Sequence, residues 1–406
     1  MGRHDPERAL AAARREFGEH GGVCPSVERS TTFTVMAPET MPEIFHGLRG
    51  PDKGGYFLYS RHFNPTVDVL ARYLAALEGA EAALCTASGM SAISCTLLQL
   101  CQQGDHIVSS HTVYGGTHAL LAEVLPAMGV STSFADPVDS ESFAAAITPR
   151  TRVLFTELLG NPTLQVADIP ALAEIARRRG LRLVVDNTFT PMVCSPVQLG
   201  ADVCVTSLTK FVSGASDLIA GAICASREFV QQLMDLRTGR AMLLGPTLDP
   251  RVAFDVIQRL PHLPLRMREH GRRALAMAER LEKIGAPVCY PGLASHPQHQ
   301  RFGAMANPGY GSGGVLTLDC GTRERADRLL AALQNQTRFG LIAVSLGYYD
   351  TLASCSGSTT ASEIEPEAQA AIGISPGLVR LSVGYTGTLE DRVCQMEEAV
   401  RAAGLA

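Results

Sequence analysis

Residues 181–214 read LRLVVDNTFTPMVCSPVQLGADVCVTSLTKFVSG, and this stretch decides the fold. It contains two apolar runs, residues 181–186 and 202–207, whose side chains are hydrophobic on both faces, as is typical of strands buried inside a parallel sheet. The first run ends in Asp186, and Lys210 follows the second run among hydroxyl residues. Because ligands bind outside the carboxyl ends of such strands, the pattern predicts a functional edge here.

Similar apolar runs recur on both sides of this stretch and alternate with helical patterns such as residues 169–179. The further predicted strands are residues 80–85, 106–110, 131–135, 152–157 and 218–224. Together the runs predict an α/β fold with a mainly parallel seven-stranded sheet between helices.

After about residue 245 the pattern changes and predicts a smaller C-terminal α+β domain. Its predicted elements are helices at 249–284, 322–334 and 389–403 and strands at 314–319 and 378–384. We therefore divide the chain into an N-terminal arm (1–65), a large domain (66–260) and a C-terminal domain (261–406).

Composition excludes several classes of partner. The 406-residue chain has a net charge of −5 at pH 7, which gives no electrostatic reason to expect nucleic acid or an anionic membrane. Its 11 scattered cysteines include no Cys-x-x-Cys pair, so we expect free thiols, no metal site and a cytoplasmic location. The uncharged residues 82–101 imitate a membrane span, but their polar side chains and Gly89 favour a strand, a turn and a buried helix.

The first motif with chemical meaning is Ser88-Gly89-Met90, which lies between a predicted strand and a predicted helix. The free N–H groups at the start of a helix, next to a small glycine, form a site for an anion such as phosphate. A serine that only caps the helix is the alternative interpretation of Ser88.

The second and third motifs are the strand ends of the opening stretch. A carboxylate such as Asp186 is costly to bury without a cationic partner, unless it only caps a turn. Ser207 and Thr209 can bind phosphate oxygens, and a partly desolvated Lys210 becomes nucleophilic, unless it lies exposed in a turn. Taken together, a phosphate site, a buried acid and a reactive lysine are the parts that pyridoxal 5'-phosphate (PLP) requires.

Two other classes of enzyme compete with this interpretation. An oxidoreductase that uses a nicotinamide needs a glycine fingerprint, but GYGSGG (309–314) precedes a predicted strand instead of following one. An aminotransferase would share Lys210 and Asp186, and it remains open on these residues alone.

The sequence resembles the cystathionine γ-synthase/methionine γ-lyase family of fold-type I PLP enzymes. The motifs that carry the resemblance are YSRHFNPT (59–66), TASGMSAIS (86–94), YGGTHALL (114–121), NPTLQVADIP (161–170), VVDNTF (184–189), SLTKFVSG (207–214) and VRLSVG (379–384). They span nearly the whole chain. EFGEHGG (16–22), MLLGPT (242–247) and SLGYYDTLASCSGST (345–359) are most similar to the plant-type methionine γ-lyase branch.

The resemblance implies roles for individual residues. Lys210 would bear the cofactor, Asp186 would pair with the pyridine nitrogen, and Tyr114 would stack on the ring and transfer protons. The residues implied to bind the cofactor are Tyr59, Arg61, Ser88, Gly89, Met90, Tyr114, Asn161, Asp186, Thr188, Ser207, Thr209 and Lys210. Arg380 and Ser345 would bind the substrate carboxylate, next to Tyr114.

The resemblance also implies an assembly and a reaction. Tyr59 and Arg61 would reach the phosphate of a neighbouring subunit, so the arm would complete another active site in a homotetramer built from two dimers. The implied reaction is γ-elimination on a γ-substituted L-amino acid, with L-methionine giving methanethiol, 2-oxobutanoate and ammonia. The alternative substrates are cystathionine, an O-acyl-homoserine or a γ-halogenated amino acid of specialised metabolism, with elimination or replacement of the γ-group.

Two residues depart from the family pattern, so the identity of the γ-leaving group is not decided by the resemblance. Bacterial methionine γ-lyases carry a cysteine where this chain has Gly116, and the plant-type branch tends to have methionine where this chain has Ala353. A small residue at 353 either reshapes the substrate pocket or is a neutral change in a loop.

Overall fold

The computed structural model describes residues 4–14, 16–45, 48–50, 57–359 and 366–406. The strands are β1 (Ala82–Thr86), β2 (His106–Ser110), β3 (Ser131–Ala135), β4 (Thr151–Glu157), β5 (Arg182–Asp186), β6 (Val203–Ser207), β7 (Gly221–Ala225), β8 (Val288–Cys289), β9 (Val315–Asp319), β10 (Gly340–Ile342), β11 (Thr351–Cys355) and β12 (Leu378–Ser382). The helices are α1 (Pro6–Ala13), α2 (Thr40–Phe45), α3 (Pro65–Glu78), α4 (Gly89–Leu100), α5 (Gly115–Ala119), α6 (Leu125–Ala127), α7 (Ser140–Ala146), α8 (Ile169–Arg179), α9 (Arg227–Leu233), α10 (Arg240–Leu244), α11 (Pro250–Arg259), α12 (Leu263–Lys283), α13 (His299–Met305), α14 (Arg323–Ala331), α15 (Pro366–Ala371) and α16 (Leu389–Ala402).

The first seven strands form one sheet in the order β1-β7-β6-β5-β4-β2-β3. All neighbouring strands are parallel except β7, which runs antiparallel to both β1 and β6. Side chains of β5 alternate between two cores, with Leu183 and Val185 on one face and Val184 on the other. The prediction of a mainly parallel seven-stranded sheet covered on both faces is therefore confirmed.

The remaining strands form a second sheet in the order β10-β11-β12-β9-β8, which confirms the smaller C-terminal α+β unit. Its own core contains Leu316, Leu318, Val379 and Leu381 from the two central strands. The sequence patterns missed β8, β10 and β11. β8 and β10 have only two and three residues, too few to show a period, and in β11 (Thr351–Cys355) small and hydroxyl residues interrupt the apolar ones.

Helix α12 belongs to both cores. Leu263 and Met267 pack in the core of the first sheet, whereas Met277 and Leu281 pack in the core of the second. The domain boundary at residues 260/261 stays a prediction, and the predicted arm includes residues 1–3, 15, 46–47 and 51–56, which lie outside the described residues.

The uncharged stretch 82–101 forms β1, a turn and α4, as the polar residues within it predicted. Among the helices of the described residues, none combines the length and apolar character needed to cross a membrane. The 11 cysteines all lie within the described residues and form no disulfide with one another, and of these Cys24 and Cys394 are exposed.

Candidate active site

The carboxyl ends of three neighbouring strands place acidic and hydroxyl side chains side by side. Glu157 ends β4, Asp186 ends β5 and Ser207 ends β6, and Glu157 lies opposite Asp186 in the strand register. Asp186 Oδ1 accepts a hydrogen bond from the Thr188 N–H at 2.8 Å, and Thr188 Oγ1 accepts one from the Ser207 N–H at 2.9 Å. Thr188 therefore links the acid on β5 to the backbone at the end of β6.

The first turn of α4 packs closely against the end of β6. A Cβ atom on Gly89 would stand only 2.7 Å from the Cβ of Ser207, so a larger residue would force the two elements apart. The Oγ of Ser88 accepts the N–H of Ser91 at 3.0 Å, which makes Ser88 the N-cap of the helix. The N–H groups of Gly89 and Met90 lie in the first turn, where the helix offers no acceptor, and such groups suit a phosphate.

Lys210 follows β6 and contacts the C-terminal part of the chain. Its Nζ donates a hydrogen bond to Ser345 Oγ at 2.7 Å. Burial, assisted by the charge of Arg380, lowers the pKa of Lys210 to about 8. A lysine with this pKa has a substantial neutral fraction near pH 7–8 and can act as a nucleophile or a base. The adjacent Thr209 bonds through its hydroxyl to both backbone groups of Ala220 and fixes this turn.

Arg380 projects from β12 into the same site and is only 2% exposed. Its Nη1 donates to Asn161 Oδ1 at 2.8 Å, and its Nη2 donates to the Ser345 carbonyl at 3.0 Å. Burial lowers the pKa of Arg380 to about 10, against the opposing charge of Glu157. A buried guanidinium that is hydrogen-bonded to neutral groups can still receive the carboxylate of a ligand.

Ser345 joins the two cations of the site. Its φ angle of 88° is rare for a residue with a side chain, and strained backbone of this kind concentrates at functional sites. In this conformation its hydroxyl reaches Lys210 while its carbonyl reaches Arg380.

Tyr114 lies at the start of α5, and its side chain is 42% exposed. Its N–H donates to Glu157 Oε1 at 2.7 Å. A Cβ atom on Gly116 would stand 2.7 Å from Cε1 of Tyr114, so any larger residue there must displace the phenol ring. The departure at position 116 therefore bears directly on where the ring of Tyr114 lies.

Asp186 is a buried carboxyl group whose environment disfavours its ionised form. Burial raises its pKa to about 6. A protonated pyridine nitrogen beside it would offset this effect, because an opposite charge favours the ionised form of a carboxyl group. This pairing, the first turn of α4 and the lysine of lowered pKa all fit PLP.

Tyr59 and Arg61 contact a different part of the chain. Arg61 Nη1 donates to the Met242 carbonyl at 2.9 Å, and its guanidinium lies 5.7 Å from the ring centroid of Tyr59. Tyr59 is 42% exposed. The structure thus brings together the other predicted site residues, whereas these two face outward from the arm.

The structure does not place Ala353 beside the substrate. In the pairing of β11 with β12, Ala353 lies opposite Leu381, and both side chains belong to the core of the second sheet. Ser354, the next residue, lies opposite Arg380 instead. The small residue at 353 is therefore a change in core packing and not in the site itself.

Glu157 was not among the predicted site residues, although it ends the predicted strand 152–157. Its two carboxylate oxygens accept N–H groups from Tyr114 and from Asn161, at 2.7 Å and 2.8 Å. The signal that was available is an acid at a strand end next to Asp186, the same pattern that singled out Asp186.

The comparisons with known proteins agree with this geometry. The family model for Cys/Met metabolism PLP-dependent enzymes matches residues 8–401. The methionine gamma-lyase of Arabidopsis thaliana is 57% identical over 397 residues, which cover 97% of this chain and 90% of that protein.

Two solved structures are similar over nearly the whole chain. The cystathionine gamma synthase of Xanthomonas oryzae, in complex with aminoacrylate and cysteine, has a TM-score of 0.86 and 31% identity and covers 98% of both chains. A structure from Campylobacter jejuni that carries N'-pyridoxyl-lysine-5'-monophosphate has a TM-score of 0.89 and 27% identity, covering 98% of this chain and 100% of that one. The cofactor is PLP, and the chain belongs to the family of Cys/Met metabolism PLP-dependent enzymes.

Proposed function

We propose that this protein cleaves L-methionine by γ-elimination, with water consumed and methanethiol, 2-oxobutanoate and ammonia released. The observation that carries the proposal is the contact of Ser345 with both Lys210 and Arg380. Through this contact Lys210, the proposed base, would lie next to Arg380, the proposed clamp for the substrate carboxylate. The 57% identity to a methionine gamma-lyase supports methionine as the substrate.

The clamp would orient the amino acid. Arg380 would bind the α-carboxylate with its planar guanidinium, which Asn161 and the Ser345 carbonyl already hold in place. This fixes the α-carbon next to Lys210, whose Nζ contacts the hydroxyl of the same serine.

The residues around the clamp would move the protons. Bound PLP supplies an electron sink for the bonds at the α-carbon and β-carbon. Lys210 Nζ would remove the α-proton, and its pKa of about 8 leaves it a sufficient neutral fraction to do so. Asp186 would keep the pyridine nitrogen protonated, and the Tyr114 hydroxyl would donate a proton to the departing sulfur.

The phosphate of the cofactor would lie at the first turn of α4. Gly89, Met90, Ser207 and Thr209 would bind it, while Ser88 caps the helix and Thr188 orients Asp186.

The outward-facing Tyr59 and Arg61 would reach the phosphate of a neighbouring subunit in a homotetramer. The arm (1–65), the large domain (66–260) and the C-terminal domain (261–406) would be the three parts of each subunit. Eleven cysteines that form no disulfide support a cytoplasmic location.

A second group of substrates shares the same residues. Cystathionine, an O-acyl-homoserine or a γ-halogenated amino acid would use the same clamp and base and differ only in the leaving group. The likeness to a cystathionine gamma synthase supports this alternative. Position 116 bears on it as well, because a side chain larger than glycine there would displace the ring of Tyr114, the proposed proton donor to the leaving group.

A panel of substrates tests the proposal. Purified enzyme is offered methionine, homocysteine, cystathionine, O-acetylhomoserine and a γ-halo amino acid, and 2-oxobutanoate, thiol and ammonia are measured. Methionine should give all three products in equal amounts. Turnover of the ester or halide alone would overturn methionine as the substrate, and a keto acid formed without loss of the γ-group would overturn γ-elimination.

A further inference from the structure

Glu157 is a buried carboxylate that the reaction proposed above does not use. It is 6% exposed and ends β4 at the edge of the sheet where the site lies. Its Oε1 accepts the N–H of Tyr114, 43 residues earlier in the chain, and its Oε2 accepts the N–H of Asn161. One side chain therefore fixes two loops that are distant in sequence.

Each of these loops carries a functional group of the site. The loop of Tyr114 presents the proposed proton donor for the leaving group. Asn161 accepts Nη1 of Arg380 at 2.8 Å, so the loop of Asn161 holds the carboxylate clamp. Through these two hydrogen bonds, Glu157 would influence both the carboxylate end and the leaving-group end of a bound amino acid.

The chemistry of these contacts requires a carboxylate. Both oxygens of Glu157 accept N–H groups, which an ionised carboxylate can do and an amide cannot. Burial and then the charge of Asp186 raise the pKa of Glu157, whereas the two N–H groups and Arg380 oppose this shift. An uncharged substitute would lose one acceptor and would also leave Arg380 without its nearby negative charge.

We propose that Glu157 is a positioning residue for the reaction, which holds the Tyr114 loop for proton transfer and the Asn161–Arg380 pair for binding the substrate carboxylate. This inference rests on the proposed γ-elimination, because the expected changes in kcat and KM refer to that reaction. The visible circular dichroism of the bound cofactor is measured without substrate. It therefore tests the positioning role of Glu157 separately from the proposed γ-elimination.

The test compares three single variants of the holoenzyme. Glu157→Gln keeps the length of the side chain and loses one acceptor and the charge, whereas Glu157→Asp keeps both acceptors and loses reach. Glu78→Gln is the matched control, because Glu78 is similarly buried, at the end of α3, and accepts the N–H of Val197 instead of those of Tyr114 and Asn161. We expect Glu157→Gln to lower kcat and raise KM, each by about tenfold, since a lost bond to a buried charged group is of this size.

The other two variants set the scale of this effect. Glu157→Asp should show smaller changes in both constants, and Glu78→Gln should change neither. The visible circular dichroism of the bound cofactor should change in Glu157→Gln and stay the same in Glu78→Gln.

A double-mutant cycle separates positioning from general damage. If Glu157 acts on proton transfer through Tyr114, Glu157→Gln should lower kcat much less in a Tyr114→Phe background, while its effect on KM persists. The proposal is overturned if Glu157→Gln keeps wild-type kcat, KM and circular dichroism, or if its loss of kcat is the same in both backgrounds. Should Glu157→Gln not fold, Glu157→Asp takes its place in the same cycle.

Discussion

At the scale of single residues, the site contains two ionisable side chains whose pKa values are shifted by burial. The pKa of Lys210 is lowered to about 8 and that of Asp186 is raised to about 6, and burial is the main cause of both shifts. These two residues could be predicted from the sequence, because a polar residue at the end of a buried apolar strand is visible as a pattern. It could not find that Ser345 joins Lys210 to Arg380, since no local pattern reports a contact over 135 residues.

Replacement of Lys210 is the most direct test of its role. Lys210→Ala should lose the visible absorbance of the lysine-bound cofactor and all turnover, because Lys283, the other lysine among the described residues, lies exposed at the end of α12. Lys283→Ala is the control, since Lys283 is an exposed lysine at the end of α12. Absorbance spectra and assays of released 2-oxobutanoate check this, and a yellow, active Lys210→Ala would contradict the assignment.

At the scale of elements, the strands of the large sheet were predictable and those of the small sheet were less so. Residues 106–110 and 131–135 match β2 and β3 residue for residue, because each is a compact apolar or β-prone run bounded by turns. The pairing of β11 with β12 was not predictable, and it decides that Ser354, and not Ala353, lies beside Arg380.

The close packing of α4 against β6 gives a prediction at this scale. Gly89→Ala should weaken PLP binding by about 5- to 150-fold, because overpacking of about 1–3 kcal/mol moves the first turn away from Ser207. Gly303→Ala is the control: Gly303 lies in α13 with open space where a Cβ would be. It should leave the affinity unchanged and stabilise the fold by about 0.5–1 kcal/mol.

Spectroscopic titration of the apoenzyme with PLP gives the dissociation constants of both glycine variants. Equal affinity in Gly89→Ala and the wild type would show that the phosphate does not lie at the first turn of α4.

At the scale of the whole molecule, the site is shared between two sheets. Lys210, Asp186 and Asn161 come from the large sheet and its loops, whereas Ser345 and Arg380 come from the C-terminal part. The family resemblance supplied this division, because composition and periodicity carry no information on how two sheets meet.

Mixing two inactive variants tests whether sites are also shared between subunits. If Arg61 completes the neighbouring site, Lys210→Ala and Arg61→Ala should each be inactive alone. Subunits that are mixed, dissociated and reassembled should regain activity, because one site of each mixed pair has both residues. Recovery is measured as 2-oxobutanoate release, with separately reassembled variants as controls. No recovery in confirmed mixed oligomers would contradict a shared site.

The burial of the cysteines has a consequence for how long the enzyme survives its own chemistry. The proposed reaction releases a thiol. When this thiol is oxidised by dioxygen to its disulfide, an accessible cysteine thiolate can attack one sulfur of that disulfide and expel the other as a thiolate. Burial raises the pKa of Cys95 and Cys289 to about 11 and that of Cys101 to about 12, so these side chains hardly form thiolates at neutral pH. We therefore expect mixed disulfides first at Cys24 and Cys394, the two exposed cysteines, and mass spectrometry of the enzyme after prolonged turnover would locate them.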